Sequence, residues 1–371
     1  MNDTEQPKSN THQKLIPKFR AWLNNHRMAT IIIVSLLGVV TIGNIAYALI
    51  NQPQPRLDLA IPVAQKQKFY SPLTGVEVKN ESDLTRPVTA VMVENSPDAR
   101  PQSGLSDGEI IYEAVAEAGI TRFMVLYQQN SPKKIGPVRS VRPYYVEWFY
   151  PYDASIAHVG GSPKALSMVR NGKVRDIDQF FNPGSYWRST DRYAPHNVYT
   201  SGKSLASLNK SKHYLKSDPM PLERKNPKEP KSTPTAESNT PAVKSITIKL
   251  GGSDMYDSSY RFDSKHNTYI RYQAGSQHKD QQKGLITPKV VIALTVDQGL
   301  MSDGYHTDIA TSGSGKAHIF QNGKAIKATW HKKSRASQLY FTDEKGKNIL
   351  LEPGQTWIVA VPKNSGSVKW K

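Results

Sequence analysis

Glu94, Glu113 and His158 are the residues of this sequence best suited to move a proton. A carboxyl group and an imidazole in one cleft can act as general base and acid. Two carboxyl groups close together in a concave site can also cleave a glycosidic bond. Arg139 and Arg142 stand in the run Gly136-Pro-Val-Arg-Ser-Val-Arg142. Their guanidinium forks suit the carboxylate or phosphate groups of a ligand. Asn95, Arg100, Arg122, Asp153 and His196 complete the candidate ligand-binding set. Asp153, His158 and His196 are metal-ligating types, but their spacing is scattered, and no metal site is assigned. No cofactor is expected: the chain has no Walker A loop, no His-Glu-x-x-His and no Gly-x-Ser-x-Gly. Its Ser312-Gly-Ser-Gly-Lys316 run is too short for a phosphate cradle and sits between β segments. A structural role competes with each functional one. An Arg beside a Glu on neighbouring strands ties a domain together, and a lone His is commonly an internally satisfied residue.

The chain pattern supplies elements to hold these side chains. Residues 85–94 (TRPVTAVMVE) read as a strand that ends on Glu94. Residues 95–108 are a loop rich in Asn, Ser, Pro, Asp and Gly. Residues 109–118, which carry Glu113, fit a strand, a helix, or one after the other. Arg122 opens a strand over 121–128. Residues 141–149 look helical past Pro143. Residues 154–159 form a short strand running into Gly160-Gly161, and 164–171 a helix with Pro163 in its first turn. Strands alternating with helices predict an α/β or α+β domain over 69–208.

Residues 209–245 carry Lys, Pro, Ser, Thr and Glu with almost no large apolar side chains, and read as a flexible linker or exposed loop. Beyond them, strand segments at 246–250, 268–273, 290–296, 317–321, 324–330, 339–342 and 356–362 predict a β-rich domain over 246–371. Asn322-Gly323 between two of these segments is a hairpin signal. Trp330, Trp357 and Trp370 read as core or edge aromatics before a sugar platform.

Twenty-three residues, 28–50, carry no charge and are long enough to span a bilayer core. Lys14, Lys18, Arg20 and Arg27 precede them, which puts the N-terminus in the cytoplasm and the rest outside. The expected plan is a cytoplasmic tail over 1–27, a single transmembrane helix, a spacer over 51–68, then the two domains. Ala46-Tyr-Ala48 also resembles a cleavage site, so a signal peptide is the competing reading. The 371 residues contain no cysteine, which excludes disulfides, thiolate chemistry and a lipid-bearing cysteine. A net charge of +18 invites nucleic acid, but the charge is spread and the location is wrong for it. Anionic envelope polymers or lipid headgroups fit better.

Several motifs resemble the YerB-like, DUF3048-type family of bacterial envelope proteins. In the first domain they are SPLTG over 71–75, VENSPDARPQSG over 93–104, IYEAVAEAGITRF over 111–123, IGPVRSVRP over 135–143, HVGGSP over 158–163 and PHN over 195–197. In the second they are YRFD over 260–263, NTYIR over 267–271, GSGKA over 313–317, GK at 323–324, ATW over 328–330 and LEPGQTW over 351–357. The resemblance implies two successive domains in the cell envelope and no defined activity. Lipoprotein members would carry a cysteine that this chain lacks.

Two functions follow as expectations. One is a membrane-tethered protein that binds a cell-wall polymer, an anionic ligand or an envelope protein. The other is a wall-modifying hydrolase or transferase that pairs Glu94 or Glu113 with His158.

Overall fold

A computed structural model describes residues 15–52, 67–226 and 242–371. They fall into two compact units, Met1–Lys66 and Gln67–Lys371. The first holds α1 (Leu15–Asn25) and α2 (Arg27–Ile50). The 24 residues of α2 extend about 36 Å at 1.5 Å per residue, longer than a hydrocarbon core of about 30 Å. None of them is buried. The Thr41 hydroxyl donates to the carbonyl of Leu37 at 2.8 Å, so this polar side chain is satisfied within its own helix. Helix α1 falls inside the expected tail, where no structure was anticipated. Leu, Ile, Phe and Trp recur there among Lys and Arg, and Pro17 sits in the first turn, where the missing N–H costs nothing. Residues 1–14, and 53–66 of the expected spacer, lie outside the described residues.

The second unit is built on β1 (Thr89–Glu94), β2 (Ile110–Val115), β3 (Thr121–Tyr127), β4 (Ser155–Ala157) and β5 (Arg175–Asp176) from its N-terminal half. Helices α3 (Pro143–Phe149), α4 (Pro163–Asn171) and α5 (Gly202–Ser211) belong to the same half. The C-terminal half is β-rich. It contributes β6 (Ser245–Lys249), β7 (Ser258–Asp263), β8 (Thr268–Gln273), β9 (Ser276–Gln277), β10 (Val290–Val296), β11 (Gly313–Gln321), β12 (Lys324–Lys332), β13 (Tyr340–Thr342), β14 (Thr356–Pro362) and β15 (Ser367–Trp370). Both halves enter one ten-stranded sheet, in the order β13-β12-β11-β10-β14-β2-β3-β1-β4-β5. The seam is the parallel pair β14–β2, in which Val359 faces Glu113. The boundary in sequence is therefore not a boundary in packing.

Every residue of β1, β2, β3 and β14 is buried, because both faces of the sheet are covered. Alternate side chains go to opposite faces. Ala90, Met92, Tyr112 and Met124 pack with Tyr145, Trp148 and Phe149 of α3. Val91, Val93, Ile111 and Phe123 pack with Ile246, Ile248, Tyr260 and Tyr269 of a second sheet, ordered β9-β8-β7-β6-β15.

The expected linker divides. Residues 227–241 lie outside the described residues. Before them, the chain from 209 to 226 is packed: Asn209, Ser217 and Leu222 are buried. Polarity did not prevent order here because the segment is tied by hydrogen bonds as well as by Leu222, which joins the apolar core. The Ser217 N–H donates to Thr85 O at 3.0 Å and the Met220 N–H to Pro151 O at 2.9 Å. Arg224 donates to the carbonyl of Glu352 at 2.9 Å and to Thr356 Oγ1 at 3.0 Å.

Candidate functional site

The candidate residues do not converge on one cleft. They separate into four groups, three of them internal. Glu113, in the middle of β2, has no exposed surface. Its Oε1 accepts from Arg271 on β8 at 3.0 Å and its Oε2 from the Trp357 indole at 3.0 Å. Arg271 also lies over the Trp357 ring, 4.4 Å from the centroid, and its Nε donates to His278 Nδ1 at 3.0 Å. His278 Nε2 donates onward to Gln102 Oε1 at 2.9 Å. Burial first, then the adjacent Arg271 charge, holds His278 well below the ordinary imidazole range. A bare Nδ1 facing a guanidinium donor fits that neutral form. This buried chain joins the two halves.

Arg142 forks onto Glu117, its Nη2 at 2.6 Å from Oε2, and Arg122 reaches the same oxygen at 3.2 Å. Burial pushes the Glu117 carboxyl up. The Arg142 hydrogen bond and the two positive charges outweigh it and hold the group below the usual carboxylate range. Both guanidiniums thus face Glu117 inside the protein, although Arg122 Nη1 has no hydrogen-bond partner.

His158 is fully buried after β4. Its Nδ1 meets Gly160 O at 2.8 Å and its Nε2 meets Asp176 Oδ1 at 2.9 Å. Gly160 N donates to Asp178 at 3.2 Å, so the Gly160-Gly161 loop is held from both sides. Asp153 is engaged elsewhere, with Arg175 at 2.9 Å. Glu113 and His158 spend all their polar side-chain atoms inside the protein. The acid–base pair expected between them is not formed, and Asp153, His158 and His196 hold no common point.

The fourth group reaches the surface through Arg139 and His196. Glu94 ends β1, opposite Arg122 in register. Its Oε1 accepts from the Ser96 hydroxyl at 2.9 Å, faces His196 Nδ1 at 2.9 Å and lies 3.2 Å from Arg139 Nε. Arg139 and His196 are about a quarter exposed, at 24% and 23% of the side chain. Glu94 Oε2 and Arg139 Nε are buried atoms with no hydrogen-bond partner. Asn95 and Arg100 brace the loop that follows: Asn95 Oδ1 accepts from Arg100 Nε at 3.2 Å and from Gln102 Nε2 at 2.9 Å. Arg100 also donates to the carbonyl of Met255 at 2.8 Å, and burial holds its guanidinium below its ordinary value.

Ser96, His196 and Glu94 are the residue types of a hydrolytic triad, but they are not arranged as one. A relay needs the serine on one imidazole nitrogen and the acid on the other. Here Ser96 Oγ, at 3.2 Å, and Glu94 Oε1, at 2.9 Å, meet the same Nδ1. The group cannot pass a proton from Ser96 to Glu94 through His196 in this geometry.

Exposed aromatic side chains lie on segments linked to it through the backbone. Arg139 O accepts from Val159 N at 3.1 Å, and the next residue, Gly160, lies against the Phe180 ring. On the other side Val138 N donates to Val198 O at 2.7 Å, and Val198 pairs with Arg188 beside Trp187. Phe180, Phe181, Trp187 and Tyr193 are all exposed. Sequence reasoning did not select Ser96, Gln102, Arg271 or His278, although the first three lie inside the motifs quoted for the family.

Residues 73–215 match the family described as "Protein of unknown function (DUF3048) N-terminal domain", and residues 246–358 match its C-terminal domain. Together they cover most of the chain. It belongs to the YerB-like DUF3048 family. The Bacillus subtilis (strain 168) protein described as "Putative lipoprotein YerB" is 31% identical over 309 residues, covering 82% of this chain and 89% of that protein. The crystal structure of the YerB protein from Bacillus subtilis has the same fold, with a TM-score of 0.72 at 29% identity, over 81% of this chain and 100% of that one. The family motifs VENSPDARPQSG and PHN contribute Glu94, Ser96 and His196 to the surface group, and IGPVRSVRP contributes Arg139. The motif IYEAVAEAGITRF supplies the internal Glu113, Glu117 and Arg122 instead.

Proposed function

We propose that the protein is held in a membrane by α2, with the Gln67–Lys371 unit outside the cytoplasm, and that it binds a glycan-bearing cell-wall polymer at the Glu94–Arg139–His196 surface. The observation that carries the binding is the contrast among the four groups. The Glu113 and Glu117 ion pairs are almost wholly buried, whereas here the Arg139 guanidinium and the His196 imidazole are each about a quarter exposed beside the buried Glu94 carboxylate. A polymer of sugar rings offers hydroxyls to such a group and apolar ring faces to Phe180, Phe181, Trp187 and Tyr193. The positive net charge favours association with an anionic wall. The anchor rests on the length and apolar composition of α2, on the basic residues before it, and on the relative described as a lipoprotein.

Sedimentation of the full-length protein, in detergent micelles, with purified cell wall tests the site. Arg139→Ala/His196→Ala and Trp187→Ala are each expected to lower the retained fraction at least threefold, while Arg142→Ala, if it folds, leaves retention by the surface group in place. Equal retention of the wild type and the first two variants would sink the site.

A further inference from the structure

The central sheet has a second end. Thr89 opens β1 five residues before Glu94, roughly 16 Å away at about 3.3 Å per residue. A cavity of about 360 Å³ lies there. Leu205, Ala206, Asn209 and Lys210, on one face of α5, line it together with Thr89 and Gln128 from the sheet side. Its volume falls within the roughly 300–1,000 Å³ usual for small-molecule sites.

Most of its polar groups are spent on the protein. Gln128 Nε2 donates to the carbonyls of Leu84 and Arg86, at 2.9 and 3.1 Å. Arg86 is paired with Asp83 at 2.6 Å. Asn209 donates through Nδ2 to Thr89 Oγ1 at 2.8 Å, but its Oδ1 is buried and receives no hydrogen bond. Asn209 itself is 2% exposed. With almost no accessible surface, that oxygen is closed to the cavity as well. Lys210, the next residue, is exposed, and no carboxylate lies within 4.0 Å of its ammonium among the described residues.

We propose that this cavity binds a small carboxylic acid with an apolar side chain. The side chain lies against Leu205 and Ala206, and the carboxylate meets Lys210. A single ammonium suits a carboxylate; a phosphate group calls for several converging donors. The site is separate from the Glu94 surface and does not depend on it.

Calorimetric titration of the full-length protein in micelles, with N-acetyl-leucyl-alanine and with its C-terminal amide, tests this. The acid is expected to bind at least tenfold more tightly than the amide. Lys210→Gln is expected to bring the acid down to the affinity of the amide while leaving wall sedimentation unchanged. Ala206→Trp, at an exposed position of α5, is expected to abolish binding of both with the circular dichroism spectrum unaltered. Equal affinity for acid and amide, no binding of either, or binding that survives Ala206→Trp overturns the proposal.

Discussion

Arg271 and Glu113 meet with no exposed surface on either side chain, and the polar chain continues through His278 to Gln102. A buried ion pair of this kind is weak evidence of net stabilisation, but breaking it leaves an uncompensated charge. Glu113→Gln is therefore expected to cost about 3–5 kcal/mol, read as a lower urea midpoint. His278 makes stability depend on pH. Its folded value lies below the unfolded value of about 6.5, so below that pH the unfolded chain takes up a proton that the folded chain refuses. Stability should fall on acidification below pH 6.5, by up to about 1.4 kcal/mol per pH unit from this group, with no contribution above it. His278→Gln should flatten that slope; an unchanged difference between pH 6.5 and 5.5 would contradict the assignment. The pairing was hidden in the sequence for a simple reason. Arg271 and Glu113 come from opposite halves of the chain, and no local pattern records which distant carboxylate a guanidinium will meet. Residue types alone do not separate these polar groups. Only the fold sorts Glu94, whose partners Arg139 and His196 are partly exposed, from Glu113, whose partners are buried.

At the scale of elements the sequence was far more legible. The segments expected at 268–273, 290–296 and 356–362 are observed with those bounds, because β-branched and aromatic runs bounded by turn residues have few alternatives. The strands Ser258–Asp263 and Ser367–Trp370 escaped notice, since Ser, Asp and Lys dilute their apolar positions. Asn322-Gly323 is the two-residue hairpin its sequence announced. Both residues have positive φ, 55° and 66°, and β11 and β12 pair on either side. A Cβ on Gly323 would lie 2.6 Å from the Phe262 ring. Gly323→Ala is thus expected to destabilise by more than about 1 kcal/mol, through strain and collision together. Chemical denaturation would check it, and a neutral result would argue against this turn.

At the scale of the whole molecule, two family domains share one sheet. Strand β14 sits between β10 of its own half and β2 of the other, parallel to both. Residues 67–226 and 242–371 expressed separately should each aggregate, since each exposes a long apolar edge and one of them carries Glu113 without Arg271. Mixing the two under refolding conditions should recover soluble protein; a soluble, folded 67–226 fragment alone would refute this. The same seam governs timing. Ile110 pairs with Thr356, 246 positions later (356 − 110), so β2 must wait for nearly the whole chain to be synthesised. At about 5–20 residues per second that wait lasts roughly 12–50 s. Throughout it the edge of β2 is an unpaired template. The nascent chain therefore needs a holding partner, or a delayed release from the machinery that delivers it, to reach the native sheet rather than a mispaired one.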